Sequence, residues 1–455
     1  MITHGTPRRR AAALLAVTAA VWLTAPAPAR AGNSDAILLG SDAALTGGSV
    51  TATTEDGAST YYNPAGLAHI DRHQVNVSAQ AIQLQDIRIQ DILSFEGGPA
   101  IDGGTTVLPL LPAGLTYGGV LSDTVSWGFG IFVQNQFAYT LRSLLQSNVP
   151  RPAAVSLAYE DRLIDSIGGV GIGWAALPNL RLGISVMGRY REEYGTLIVS
   201  AGDLPGADLD ANLAGVSDSF GSQAAGAELR GGVQWEPTPD WVLGAAVWTP
   251  TLNIYRAEQQ TGVLLERQAA SGDDPGRTTY LPFNVNQTTW GFTQLTQWRF
   301  RASVAYQGDW GWVGVDGDVQ PGFGNEQLGI RRSTTFNVRA GAKILVAPNV
   351  HLGLGFFTDR HALPRPDADD LTLSPRVHLY GGTVGVDFDN SHQLSGEEPA
   401  SISFRTGLSL RVAYGGGDFS TLQIERSEDG LDAQPNVVPA TIFEAGIYLT
   451  SGLYF

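Results

Sequence analysis

The sequence predicts an all-β fold, a fourteen-stranded antiparallel transmembrane β-barrel, and three observations lead there. Apolar residues alternate with polar or small ones in runs of ten or more from about residue 73 onward. Short and long connections follow each other between those runs. Charged residues are only 16% of the 455, against about 25% in soluble domains, so much of the surface need not face water.

The first 31 residues read as an address. Arg8, Arg9 and Arg10 make a basic start, residues 11–23 an apolar stretch, and Ala29-Arg30-Ala31 a small-residue cleavage site. That apolar stretch is too short to cross a bilayer as a helix. Residues 1–31 are therefore expected to be removed on export, leaving a leading segment, 32–72, and a barrel, 73–455.

Period two dominates the rest. In residues 334–346, Phe336, Val338, Ala340, Ala342, Ile344 and Val346 share one face, and Thr335, Asn337, Arg339, Gly341 and Lys343 the other. In residues 402–414, Phe404, Leu408, Leu410 and Val412 oppose Ser403, Arg405, Ser409 and Arg411 in the same way. Successive side chains point to opposite faces only in a strand. A soluble sandwich also alternates, but over strands of about five or six residues. Ten or more residues suit a tilted strand crossing hydrocarbon.

Fourteen strands are expected to start near residues 73, 111, 125, 162, 180, 222, 241, 296, 310, 334, 350, 375, 402 and 440. Tight-turn residues join them in pairs at Ser122-Asp123, Pro178-Asn179, Glu236-Pro237-Thr238-Pro239-Asp240, Gly308-Asp309 and Pro348-Asn349. The turn at residues 390–400 is longer. Long loops are expected at 86–110, 141–161, 201–221, 258–295, 321–333, 360–374 and 416–439, on the outer side of the membrane. Trp174, Trp235, Trp241, Trp310 and Trp312 lie beside the short turns, as an interfacial girdle would. A closed barrel also satisfies every backbone polar group, which lipid demands.

Residues 32–68 are rich in Gly, Ala, Ser and Thr and lack a long alternating run, a composition suited to close packing within a lumen. Ala44-Leu45-Thr46-Gly47-Gly48 and the string from Asp56 to Ala68, with Asn63-Pro64-Ala65-Gly66 inside it, resemble the N-terminal signature of the FadL/TodX family of outer-membrane transporters for fatty acids and other hydrophobic compounds. The terminal Phe455 resembles the signal read by barrel-assembly machinery. The resemblance implies location in the bacterial outer membrane, with lipid and that machinery as partners. It also implies a lumen plugged by an N-terminal hatch bearing Asn63, Pro64, Ala65 and Gly66, a greasy groove between two outer loops, and a lateral exit at a kink in the third strand.

The loops in question would be 201–221, with Leu209, Leu213 and Phe220, and 258–295, with Leu281, Phe283 and Trp290. Apolar residues in outer loops pack on each other or on a ligand; the sequence leaves both open. In the third strand the apolar register ending at Val133 gives way to Gln134 and Asn135. Asn135 on the lipid-facing parity is costly unless the strand bends or leaves the bilayer there. On the polar face, Arg189, Arg301, Arg339 and Arg411 fall nearest mid-height, where they either bind an anionic headgroup or pair with acids such as Glu228, Asp316, Asp318 and Asp387.

Other chemistry is missing. Zero Cys excludes disulfides, Cys-ligated zinc and thiol catalysis. A net charge of -16 argues against nucleic acid. Gly169-Val170-Gly171-Ile172-Gly173 lacks dinucleotide-loop spacing, Asp316-Gly317-Asp318 lacks a full calcium loop, and no hydrolase motif occurs. No enzyme, cofactor or metal is expected. The function that follows is passive passage of fatty acids or hydrocarbons; a non-transporting barrel that anchors secretion machinery or cargo would share these features, and uptake assays separate the two.

Overall fold

The computed structural model describes the chain outside residues 1–37, 109–110, 148–152, 204–212, 269–276, 326–329, 367–375, 394–400 and 428–429. The expected export signal and Leu209 therefore lie outside the described residues. Nineteen strands are described, and in chain order they start with β1 (Gln74–Phe95), β2 (Ala100–Val107), β3 (Leu111–Ser122), β4 (Val125–Ser147), β5 (Ala153–Leu177), β6 (Leu180–Asp203) and β7 (Leu213–Thr238). Next come β8 (Trp241–Trp248), β9 (Leu252–Gln268), β10 (Arg277–Gln294), β11 (Arg299–Gly308) and β12 (Gly311–Gln320). The short β13 (Phe323–Asn325) and β14 (Ile330–Arg332) precede β15 (Thr335–Ala347), β16 (Val350–Asp359), β17 (Arg376–Gln393), β18 (Ser401–Ser427) and β19 (Gly430–Tyr454).

The barrel closes by antiparallel pairing of β1 with β19, Gln74 opposite Tyr454 through to Ile89 opposite Ala440. Round the wall run β1, β3, β4, β5, β6, β7, β8, β11, β12, β15, β16, β17, β18 and β19, which makes fourteen. Period two explains the partition. Val170, Ile184, Val315 and Leu410 point outward and are about half exposed, whereas Arg301, Asp316, Arg339 and Arg411 point inward and are buried. The apolar set meets lipid and the polar set makes the lumen. Trp174, Trp235, Trp241 and Trp310 are exposed on the outer face beside the short turns.

Those turns are two residues long at 123–124, 178–179, 239–240, 309–310 and 348–349. Asn349 takes a φ of 63°, the left-handed conformation that Asn tolerates better than most residues.

The long outer connections correct the sequence reading. They are largely strand: β18 and β19 stay paired from Ser403 opposite Tyr454 up to Ser427 opposite Gly430. Residues 213–220 and 258–268 belong to β7 and β9, which pair with each other, and β9 pairs in turn with β10. Beyond the bilayer neither face meets lipid, so the apolar alternation fades. The backbone still needs partners, and extending the ladder supplies them. Two neighbouring wall strands, β8 and β11, are interrupted together. Thr249-Pro250-Thr251 breaks β8 from β9, since Pro250 offers no N–H, and residues 295–298 break β10 from β11. The two breaks are tied by Leu295 N to Thr251 O at 2.9 Å and Thr251 N to Thr296 Oγ1 at 2.7 Å.

The leading segment sits inside the barrel near the short-turn rim. Its helix Ser41–Thr46 packs against β15 to β19, and its 3-10 turn Pro64–His69 against β4 to β7. Inward-facing glycines make room for it. A Cβ on Gly183 would lie 2.2 Å from the Pro64 carbonyl carbon, and one on Gly232 would lie 1.8 Å from Asn63 Oδ1. Gly171 and Gly173 serve the same purpose beneath Leu67 and Ala68.

Candidate ligand site

Asn63 shows why the Asn-Pro-Ala word has its composition. Its Oδ1 accepts from Ala65 N at 3.2 Å and caps the 3-10 turn, while Pro64 supplies the preset φ of a first helical position. Its Nδ2 donates to Thr51 O at 2.7 Å, inside the segment, and to Val233 O at 3.1 Å, on the wall. Ala65 and Gly66 are buried with it, and a Cβ on Gly66 would strike Thr54 O. Asp42 makes a second anchor at the other side of the lumen, bridging Lys343 Nζ at 3.0 Å and Arg405. Burial alone would raise the Asp42 carboxyl, but Arg405 and Lys343 outweigh it and hold the group well below the usual carboxylate range.

Above that segment, away from the short turns, two adjoining cavities share Arg189, Arg191, Thr296 and Arg332. The first continues along Phe220, Ser222, Ala224, Arg256 and Glu258. The second reaches Gln134, Asn135, Asp165, Glu228, Arg230, Trp248 and Arg299. Its floor is a stack: the Arg230 guanidinium lies 3.7 Å from the centre of the Trp248 ring and 4.2 Å from that of Tyr61, a residue of the leading segment.

Five of the six cavity arginines have a carboxylate at hand. Arg189 pairs with Asp165, Arg191 with Glu193 at 3.1 Å, Arg230 with Glu228 at 2.5 Å, Arg256 with Glu258 and Arg299 with Asp318. Pairing makes such charges tolerable in a low-dielectric lumen. Arg332 differs. Its guanidinium makes no ion pair among the described residues, and its Nη1 is buried without a hydrogen-bond partner.

The four arginines singled out from the sequence separate accordingly. Arg189 lines both cavities. The other three do not line them: Arg301 lies beside Asp318 and the Tyr62 ring, Arg339 beside Gly48 of the leading segment, and Arg411 on Glu444 at 2.8 Å and over the Phe357 ring. These three hold the wall and its contents together. Asp316 likewise accepts from Thr51 N at 3.0 Å, and Asp387 pairs with Lys343 and Arg405. Asp387 also belongs, with His351 and Asp389, to the one set of metal-type ligands among the described residues, and Asp389 lies 3.7 Å from Arg405 and 3.6 Å from His351.

The expected loop groove becomes one face of a sheet. Cross-strand register aligns Phe220 with Gln260 and Val285, Asp218 with Gly262 and Phe283, and Val216 with Leu264 and Leu281. Phe220 belongs to the cavity wall, so Phe283 and Leu281 extend that same face outward. Trp290 has the opposite parity. It is 73% exposed on the outer face and rests on the Tyr255 ring at 4.8 Å. Leu213 pairs through its backbone with Gly202 and Arg267.

In the third barrel strand, β4, pairing with β5 slips between Val133 and Asn135, which face Ser166 and Asp165 in turn. Gln134 is the extra residue of a β-bulge. The bulge resets parity, so Gln134 and Asn135 are both buried and both border the second cavity. Asn135 is thereby spared the lipid face that strict alternation assigned it. Sequence reasoning missed Arg332, Arg256, Arg230 and Trp248. The only available sign was the Arg331-Arg332 pair in a chain poor in cations.

These features define a class: a closed transmembrane β-barrel with its own leading segment lodged in the lumen and a polar cavity beyond it. No family model and no curated protein matches the chain. Among solved structures, it is similar to the Pseudomonas putida toluene transporter TodX, with 15% identity, a TM-score of 0.58 and coverage of 92% of this chain and 99% of that one. A Pseudomonas aeruginosa FadL homologue shares 12% identity with a TM-score of 0.54, covering 94% and 99%. The Ralstonia pickettii toluene transporter TbuX shares 14% at 0.54, covering 92% and 98%. The fold is therefore that of the FadL/TodX barrels.

Proposed function

We propose that this protein is a passive channel of the bacterial outer membrane, of the FadL/TodX kind, for small organic molecules with apolar parts. The observation that carries the reading is the continuous arrangement of an apolar-faced outer sheet, a cavity, a bulged wall strand and an interior segment. A solute would be taken up on the face of Phe220, Leu281 and Phe283. It would pass into the cavity and leave either beside the Gln134–Asn135 bulge or by displacement of the segment around Asn63. The two hydrogen bonds from Asn63 Nδ2 and the Tyr61–Arg230 stack make that segment a gate. Long-chain fatty acids and monoaromatic hydrocarbons are the two substrate groups that the FadL and TodX likenesses bring to the test. The experiment is uptake of radiolabelled oleate, toluene and benzoate by a strain lacking the protein, with and without complementation. Complementation should raise uptake of at least one of the three several-fold; no change for any of them would leave an anchoring role as the better reading.

A further inference from the structure

The charge of the cavity narrows the substrate, and this step rests on the channel reading above. Arg332 stands on β14, in the outer connection between β12 and β15, and its side chain helps to close both cavities. Burial, with Arg191 and Arg189 as neighbouring like charges, pushes it down to about 9, far below an ordinary guanidinium. An arginine stays charged in proteins, so this one keeps its charge at a cost that Glu193 offsets only in part, Glu193 being already engaged by Arg191 at 3.1 Å.

A planar fork with an unused donor on the cavity wall suits a carboxylate or sulfonate, which accepts two parallel hydrogen bonds. A neutral hydrocarbon offers nothing to that fork. It would also strip water from Arg256, Glu258 and Thr251 without replacing the lost hydrogen bonds. The apolar side chains of the first cavity are Phe220, Ala224 and Leu295, a set that one ring or a short chain covers, and the second cavity adds Leu163, Trp248 and Ala362.

We propose that the cavity is a selectivity site for compact organic anions, aromatic or short-chain carboxylates, whose charged group is held by Arg332 and whose apolar part lies against Phe220 and Leu295. Benzoate and benzyl alcohol make the test, since they match in size and differ in charge. Binding of each to the purified full chain in non-ionic detergent is measured by titration calorimetry, for the wild type, Arg332→Gln and Arg332→Lys. The wild type should bind benzoate at least about tenfold more tightly than benzyl alcohol, the equivalent of about 1.4 kcal/mol. Arg332→Gln should abolish that preference, and Arg332→Lys should keep part of it. All three proteins should show the same heat-modifiable mobility, which reports the closed barrel. Equal binding of the two ligands by the wild type, or an unchanged preference in Arg332→Gln, overturns the proposal. Uptake of oleate, toluene and benzoate tests the channel reading, and the binding comparison tests the charge preference, so the two can fail separately.

Discussion

Asp42 joins three charges that the barrel alone would leave in conflict. Lys343 and Arg405 both point at Asp387, and Asp42 brings the second negative charge from the leading segment. Replacing it by Asn leaves two buried cations sharing one close acid, and breaking such a set costs about 3 kcal/mol or more. The carboxyl is lower in the folded protein than its ordinary 3.8. Its contribution is therefore complete above pH 3.8 and fades only as pH falls through the depressed folded value. The difference in melting temperature between wild type and Asp42→Asn should stay constant from about pH 8 to pH 5 and shrink below pH 3.8. A difference that instead shrank on going from pH 8 to pH 6 would show that another group carries the pH dependence. Asn63 answers to the same local logic, since one amide caps a turn, ties two parts of the segment and reaches the wall.

Strands are the level at which the wall departs from regularity. The bulge in β4 has one extra residue, and pairing is regular on both sides of it. Deleting Gln134 would leave Val133 opposite Ser166 and Asn135 opposite Asp165, now in an unbroken ladder. The barrel should still form, shown by unchanged heat-modifiable mobility, and uptake of the transported solute should fall several-fold because the bent wall beside the second cavity is straightened. Unchanged uptake would assign the exit to the leading segment. The break at Thr249-Pro250-Thr251 is a different device: with its counterpart at residues 295–298 it separates the β9–β10 extension from the wall strands β8 and β11 while keeping Leu295 and Thr251 bonded.

For the whole molecule, the leading segment and the barrel were read from different signals. The barrel was legible in nearly every respect. Strands start within a residue or so of expectation at Gln74, Leu111, Val125, Leu180, Trp241 and Val350, because lipid on one side and a wet lumen on the other impose strict alternation. It fails at Ala153, Leu213 and Gly430, which begin about nine or ten residues early, since no lipid enforces a pattern on the outer extensions. If the segment seals the lumen, a chain lacking residues 32–72 should fold and give larger, steadier currents in a planar bilayer than the full chain. Equal currents would show the passage to be closed by the outer sheet instead.

By itself the sequence determined the closed wall, its tight turns, the outward face of the strands and the special character of the Asn63 word, all of which depend on neighbours along the chain or on the solvent. Only the tertiary structure decided which inward arginines are neutralised and which line a cavity. Arg301, Arg339, Arg411 and Arg332 look alike in a list of residues. They differ because cross-strand register sets Asp318 of β12 beside Arg301 and Glu444 of β19 against Arg411, packing of the leading segment sets Gly48 beside Arg339, and none of the described acids pairs with Arg332.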